Sequence, residues 1–89
     1  MASRELIIIN RLGLHARAAA KFVTLASEFK AVVEVSRDSQ RVNGKSIMGV
    51  MMLAASKGTQ IVIHTEGADE DLAIEALAKL VNERFGEEV

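Results

Sequence analysis

"AVVEVSRDSQRVNG", residues 31–44, is the stretch that decides the fold. Val33 and Val35 alternate with Glu34 and Ser36, the period of two expected of a strand with one buried face. A polar Asp38-Ser39 pair separates that run from a second short one, so the stretch predicts a hairpin of Val32–Arg37 and Gln40–Asn43. A hairpin is antiparallel, and the elements to either side must fit a sheet of that kind.

On the N-terminal side, "ELIIIN" (residues 5–10) is a β-branched run too short for a helix and is read as a strand. In the segment that follows, Ala19, Phe22, Val23, Ala26 and Phe29 recur at helical spacing, which predicts a helix over residues 16–28. On the C-terminal side, Ser46 can cap a short helix running to Ala54, with Gly58 beyond its end. "TQIVIHTEG" supplies a fourth strand, with Ile61 and Ile63 facing away from Val62 and His64. A last helix begins near Asp69, Glu70 and Asp71, which suit its positive end, and stops at Gly86. The order is βαββαβα. It implies an α+β architecture, an antiparallel sheet of four strands with three helices on one face. Periodicity alone leaves the strand order open, and a ferredoxin-like sheet with an appended helix satisfies the same pattern.

The chain has 89 residues, which predicts a single domain. It is 49% hydrophobic but only 3% aromatic, so aliphatic side chains must build the core. Eleven basic residues against 12 acidic give a formal charge of -1, which provides no general positive field for nucleic acid. With no Trp or Tyr and no Phe on the expected strands, an RNA-binding sheet lacks stacking groups. The absence of Cys removes disulfides, thiolate nucleophiles and sulfur-held metals. No segment has the roughly 20 apolar residues of a membrane helix, and the N-terminus does not read as a leader. A cytoplasmic location, no membrane insertion and a monomer are the expectations.

"RLGLHARAAA" (residues 11–20) sets His15 at the start of the first helix, behind a turn containing Gly13. If His15 is the N-cap, the unpaired amides of the first turn and the positive end of the helix dipole favour an anion beside the imidazole. Arg17 adds a forked cation suited to phosphate oxygens, and Ala16 leaves the approach open. A neutral imidazole nitrogen is nucleophilic and could take up and release a phosphoryl group. Against this stands the plain alternative that His15 is merely a polar residue at a helix start, which Gly13, Ala16 and Arg17 make less attractive. No acid-base pair, nucleotide loop, cofactor motif or metal-ligand spacing accompanies it, so a domain of this kind depends on partner proteins and is not an enzyme acting alone. His64, on a strand, has no second ligand at a recognisable spacing and is assigned no role.

The stretch "GLHARAA" resembles the active-site signature of the HPr family, the histidine-containing phosphocarriers of the bacterial sugar phosphotransferase system. "NGKSIMGVM" resembles the family's second signature, and element order and length agree along essentially the whole chain. The resemblance favours the open-faced β-sandwich over the ferredoxin-like sheet. It implies that His15 accepts phosphate at Nδ1 from phospho-Enzyme I and passes it to sugar-specific IIA domains, with Arg17 and the amides of Ala16 and Arg17 steadying the group. One departure is Ala18, where family members often have Pro; the helix start gains an N–H and a freer φ.

By the same resemblance Ser46 falls on the serine that an HPr kinase/phosphorylase modifies in many bacteria. A phosphate there would add roughly -1.5 to -2 charge at a helix N-terminus; the plain alternative is an N-cap hydroxyl. The helix after Ser46 is apolar nearly all round. Val50 and Leu53 make an inward pair, Ile47, Met48 and Met51 are candidates for an exposed partner-binding patch, and Met52 is expected to fill a core gap. The acidic run of residues 66–71 reads as helix-start bias and the ending "GEEV" as a solvated tail. Two rival functions stand beside the sugar carrier: the nitrogen-related HPr paralogue, with its own donor and acceptor, and a regulatory protein-binding module working through Ser46 and the Met patch.

Overall fold

The hairpin forms in the expected register, with Glu34 opposite Asn43 and Arg37 opposite Gln40. Asp38 turns the chain with a left-handed φ of 54°, a conformation that Asp tolerates better than most residues. The computed structural model describes residues 1–89. Its elements are β1 (Ala2–Ile7), α1 (Ala16–Ala26), β2 (Val32–Arg37), β3 (Gln40–Asn43), α2 (Ile47–Met52), β4 (Gln60–Glu66) and α3 (Glu70–Asn82), followed by a 3-10 turn at Arg84–Gly86.

The strand order is β1-β4-β2-β3 and every pairing is antiparallel. β4 and β2 are therefore central, and β1 lies at one edge, paired with β4 alone. This is the open-faced sandwich, and the ferredoxin-like alternative is excluded. On the inner face Leu6 opposes Ile61, Val35 opposes Ile63 and Val33 opposes Thr65. All six are buried, whereas Ser3, Glu5 and Gln60 on the other face are exposed. Because side chains alternate along a strand, a slip of one residue would move the whole apolar set into water.

The helices cover that one apolar face. α1 contributes Ala18, Ala19, Phe22 and Ala26, α3 contributes Ile74, Leu77, Ala78 and Val81, and α2 contributes Val50. Phe22 and Phe85 are the only aromatic residues in a core that is otherwise aliphatic, as the composition requires.

Several boundaries differ from the sequence expectation, each for a local reason. β1 runs over Ala2–Ile7 rather than residues 5–10, because beyond Ile7 the regular ladder stops. Ile8 still exchanges bonds with the opposite loop, its N–H donating to the Thr59 carbonyl at 2.9 Å while Gly58 N–H donates to the Ile8 carbonyl at 2.7 Å. α1 ends at Ala26, and its last turn tightens through i to i−3 bonds from Glu28 to Leu25 and from Phe29 to Ala26. α2 ends at Met52, because Leu53 and Ala54 make the same tight bonds and Ala54 takes a φ of 49°. Met52 is 65% exposed rather than core, since the helix stops before another turn could cover it.

Asp69 is the N-cap residue of α3, its carbonyl accepting the Ala73 N–H at 2.9 Å, but its side chain makes no hydrogen bond to the helix. Its carboxylate instead accepts the backbone N–H groups of Lys30 (2.9 Å) and Ala31 (2.8 Å), tying the start of α3 to the entry of β2. These bonds, the one from Lys30 foremost, hold the carboxyl below the usual aspartate range.

Leu77→Ala, at a fully buried position, should destabilise the fold by about 3 kcal/mol, whereas Leu72→Ala, at a position 70% exposed, should change stability by less than about 0.5 kcal/mol. Urea unfolding of the two variants checks the contrast. For Asp69 the folded pKa lies below the unfolded one, so its contribution is present above the ordinary aspartate pKa, about 4, and fades as pH falls through the lower folded value. Asp69→Asn should lower the thermal midpoint at pH 6 and flatten its acid dependence below pH 4, read by thermal scans across that range.

Candidate active site

The loop between β1 and α1 is fixed before His15 is reached. Gly13 has a φ of +67°, and a Cβ there would stand 2.5 Å from the Ala55 carbonyl oxygen and 2.8 Å from Ser56 Cα. The next residue, Leu14, is buried and its N–H donates to the same Ala55 carbonyl at 2.9 Å. The loop is thus pressed against the chain just after α2, and His15 emerges at a defined place.

His15 is the N-cap of α1, as the sequence implies. Its backbone is extended (φ -75°, ψ 176°) and its carbonyl accepts the Ala19 N–H at 2.8 Å. The imidazole makes no capping hydrogen bond to the helix, so the first-turn amides, those of Ala16 and Arg17 among them, are not claimed by the ring. Arg17 is exposed and enters none of the chain's ion pairs. His15, Ala16 and Arg17 line an open depression of about 520 Å³ together with Leu12, Glu87 and Val89.

The last two of those residues overturn the expectation of a solvated tail. The Glu87 carboxylate meets the ring, Oε2 against His15 Nε2. Its other oxygen, Oε1, accepts from Asn10 Nδ2 at 3.0 Å. Asn10 is fully buried and donates from the same Nδ2 to the Gly13 carbonyl at 2.8 Å, so it braces both the loop and the tail. Further contacts hold the tail down: Lys21 Nζ of α1 donates to the Phe85 carbonyl at 2.7 Å, and Arg11 N–H donates to the Val89 carbonyl at 3.0 Å. Burial pushes the Glu87 carboxyl up, but hydrogen bonds from His15 and Asn10 outweigh it and leave the group below the usual glutamate range.

The tail reaches the ring through an unusual turn. Arg84, Phe85 and Gly86 have φ values of 58°, 55° and 80° in succession. For each of the two non-glycine residues this costs roughly 1–2 kcal/mol. The fully buried Phe85 side chain is the compensating anchor. The sequence "ERFGEEV" offered Gly86 as a helix stop, and the isolated Phe85 within a polar ending was the one signal that this tail is packed.

The remaining candidates lie elsewhere. Ser46 caps α2 by accepting the Gly49 N–H at 3.1 Å. It stands at the opposite end of that helix from the Leu53 to Ala55 segment that touches the His15 loop, a separation of roughly 9 Å along a six-residue helix. Ile47, Met48 and Met51 are 43%, 74% and 41% exposed, so α2 does present an apolar surface, which Met52 enlarges. Those side chains do not line the His15 depression. His64 sits on the outer sheet face with Nε2 3.0 Å from Ser36 Oγ. Burial foremost, with Arg41 nearby and Glu34 opposing, lowers its pKa from the ordinary histidine value. No three His, Asp or Glu side chains converge as a metal site, and no helix is long and apolar enough to cross a membrane.

Gly13 and Gly58 test how the loop is positioned, since both have positive φ but only Gly13 is crowded. Gly58→Ala should cost about 1 kcal/mol, the backbone term alone, whereas Gly13→Ala should cost about 2–4 kcal/mol because the Ala55 and Ser56 backbone must shift as well. Chemical denaturation measures the difference, and only Gly13→Ala should perturb the His15 ring resonances.

A family model described as the PTS HPr component phosphorylation site matches residues 2–83. Phosphocarrier protein HPr of Neisseria meningitidis serogroup A is 58% identical over 87 residues, covering 98% of each chain. Among solved structures, HPr-C-His from Thermoanaerobacter tengcongensis superposes with a TM-score of 0.96 at 46% identity over the full length of both chains. An HPr dimer from the same organism gives 0.79 at 46% identity, covering 98% of this chain and 100% of that one. With the histidine signature at the start of α1 and the same sheet beneath it, the chain belongs to the HPr family of phosphotransferase-system phosphocarriers.

Proposed function

We propose that His15 is the phosphoryl acceptor of a sugar phosphotransferase chain, charged at Nδ1 by phospho-Enzyme I and discharged to sugar-specific IIA domains in the cytoplasm. One observation carries this reading: Nε2 is held by Glu87, while Nδ1 has no hydrogen-bond partner and the ring shares one open depression with the exposed Arg17 at the free end of α1. In the transfer the Nδ1 lone pair forms a bond to phosphorus as the donor's bond to phosphorus breaks, its electron pair leaving on the donor atom. Arg17 and the first-turn amides of Ala16 and Arg17 then meet the phosphoryl oxygens. Discharge is the same step in reverse, onto the acceptor. Every group the step requires comes from one copy of the chain, so it needs no dimer. The exposed side chains of Ile47, Met48 and Met51 give the donor and acceptor an adaptable apolar surface to grip.

Ser46 is the proposed site of regulatory phosphorylation by an HPr kinase/phosphorylase. Its side chain is partly exposed at the first turn of α2, where added negative charge suits the helix and changes the surface that partners meet.

The test is incubation with phosphoenolpyruvate and a sugar-type Enzyme I, with the phosphate mapped by mass spectrometry under non-acidic conditions. The expected result is one acid-labile phosphate on His15 and none on His15→Ala. Arg17→Ala should lower the transfer rate by roughly 10- to 100-fold, the equivalent of one charge-assisted contact. An active sugar-type donor that leaves the folded protein unlabelled, with labelling only by a nitrogen-type Enzyme I, would move the chain to the nitrogen-related branch. Ser46→Ala should cost about 1 kcal/mol through the lost cap, and Ser46→Asp should slow charging while leaving the fold intact, as steady-state transfer assays and a melting curve would record.

A further inference from the structure

Three side chains from three separate parts of the chain form one hydrogen-bonded line: Asn10 after β1, Glu87 in the tail and His15 at the start of α1. On the carrier role proposed for His15, we infer that Glu87, aimed by Asn10, is a positioning residue that holds the proton on Nε2 and so keeps the lone pair on Nδ1.

The orientation of Asn10 is forced. Its Nδ2 faces two acceptors, the Gly13 carbonyl and Glu87 Oε1. Turned over, the amide would point its oxygen at both of them, so the nitrogen must face the pair even though Oδ1 is left buried without a partner. An amide fixed in this way holds one carboxylate oxygen, and the other is left for the ring. An ionised carboxylate only accepts, so the ring nitrogen that touches it must carry the proton. In the neutral ring the other nitrogen, Nδ1, then carries the lone pair.

The same contact acts during transfer. When Nδ1 forms its bond to phosphorus and the donor's bond breaks, the Nε2 proton stays in place and the ring takes on positive charge. Glu87 supplies the opposing charge without moving, and hydrogen bonds from the ring and from Asn10 already hold its carboxyl below the usual range. The tail turn, Lys21 on the Phe85 carbonyl and Arg11 on the Val89 carbonyl keep the carboxylate on the ring in the uncharged carrier.

The experiment uses the full chain with 15N-labelled histidine and compares the unmodified protein with Glu87→Ala and Glu87→Gln, the amide spectrum confirming the fold of each. Ring 15N shifts at alkaline pH report the tautomer, and stopped-flow charging by phospho-Enzyme I reports the rate. The unmodified protein should be protonated at Nε2. Glu87→Ala should drift towards the mixture of a free ring and charge about five- to tenfold more slowly. Glu87→Gln, which keeps an acceptor but loses the charge, should retain most of the Nε2–H tautomer and still charge more slowly than the unmodified protein. A tautomer or a charging rate unchanged in a folded Glu87→Ala protein overturns the assignment. Failure of the carrier role itself would look different, because the unmodified protein would then take up no phosphate at all.

Discussion

Val33 and Val35 on β2 and Ile61 and Ile63 on β4 point to the same side of the two central strands, and the helices exist to keep that side dry. Each of these side chains stabilises the fold by roughly 1.5–3 kcal/mol when withdrawn from water, and none could be covered by the sheet itself. α1 and α3 lie over them through Phe22, Ala26, Ile74 and Leu77, and α2 closes one end with Val50 and Leu53. The other face carries Ser3, Glu5 and Gln60 and stays open.

That one-sided burial also decides where chemistry can occur. The β1–α1 loop, the chain just beyond α2 and the tail after α3 meet at the margin of the helical layer, tied by Leu14 to Ala55 and by Arg11 to Val89. The start of α1 is exposed there with its amides unspent, while the residues that shape it, Asn10, Gly13, Leu14 and Phe85, are all buried. A rigid support under an open helix end suits the proposed carrier role, in which two different proteins would meet the same ring nitrogen. The strain at Arg84 and Phe85 fits the same picture, since it is held where the tail must bend back to reach the histidine.

Much of this was legible in the residues, and what was not has identifiable causes. The β2–β3 hairpin could be read to the residue because alternation and a polar turn are both local signals. His15, Ala16, Arg17 and Ser46 could be picked out because helix starts leave a sequence signature and because two motifs matched a known family. The strand order could not be read from periodicity, since it depends on which strands meet across the sheet, and the family resemblance decided only between the open-faced sandwich and the ferredoxin-like sheet. Asn10 looked like the last residue of a strand and Glu87 like a solvated charge, because a hydrogen bond between positions 77 residues apart leaves no periodic trace. Met52 was misplaced for a related reason: an apolar helix gives no sign of which residue lies past its last covered turn.

On the carrier role proposed for His15, this fold offers one nitrogen of one histidine to a phosphoryl group. The most direct measurement is NMR of the charged protein, prepared with 15N-labelled histidine, in which coupling between 31P and ring 15N identifies the bonded atom. A single phosphorus signal coupled to His15 Nδ1, with Nε2 still protonated, is the predicted result. Phosphorus coupled to His15 Nε2, or attached to any residue other than His15, would contradict it.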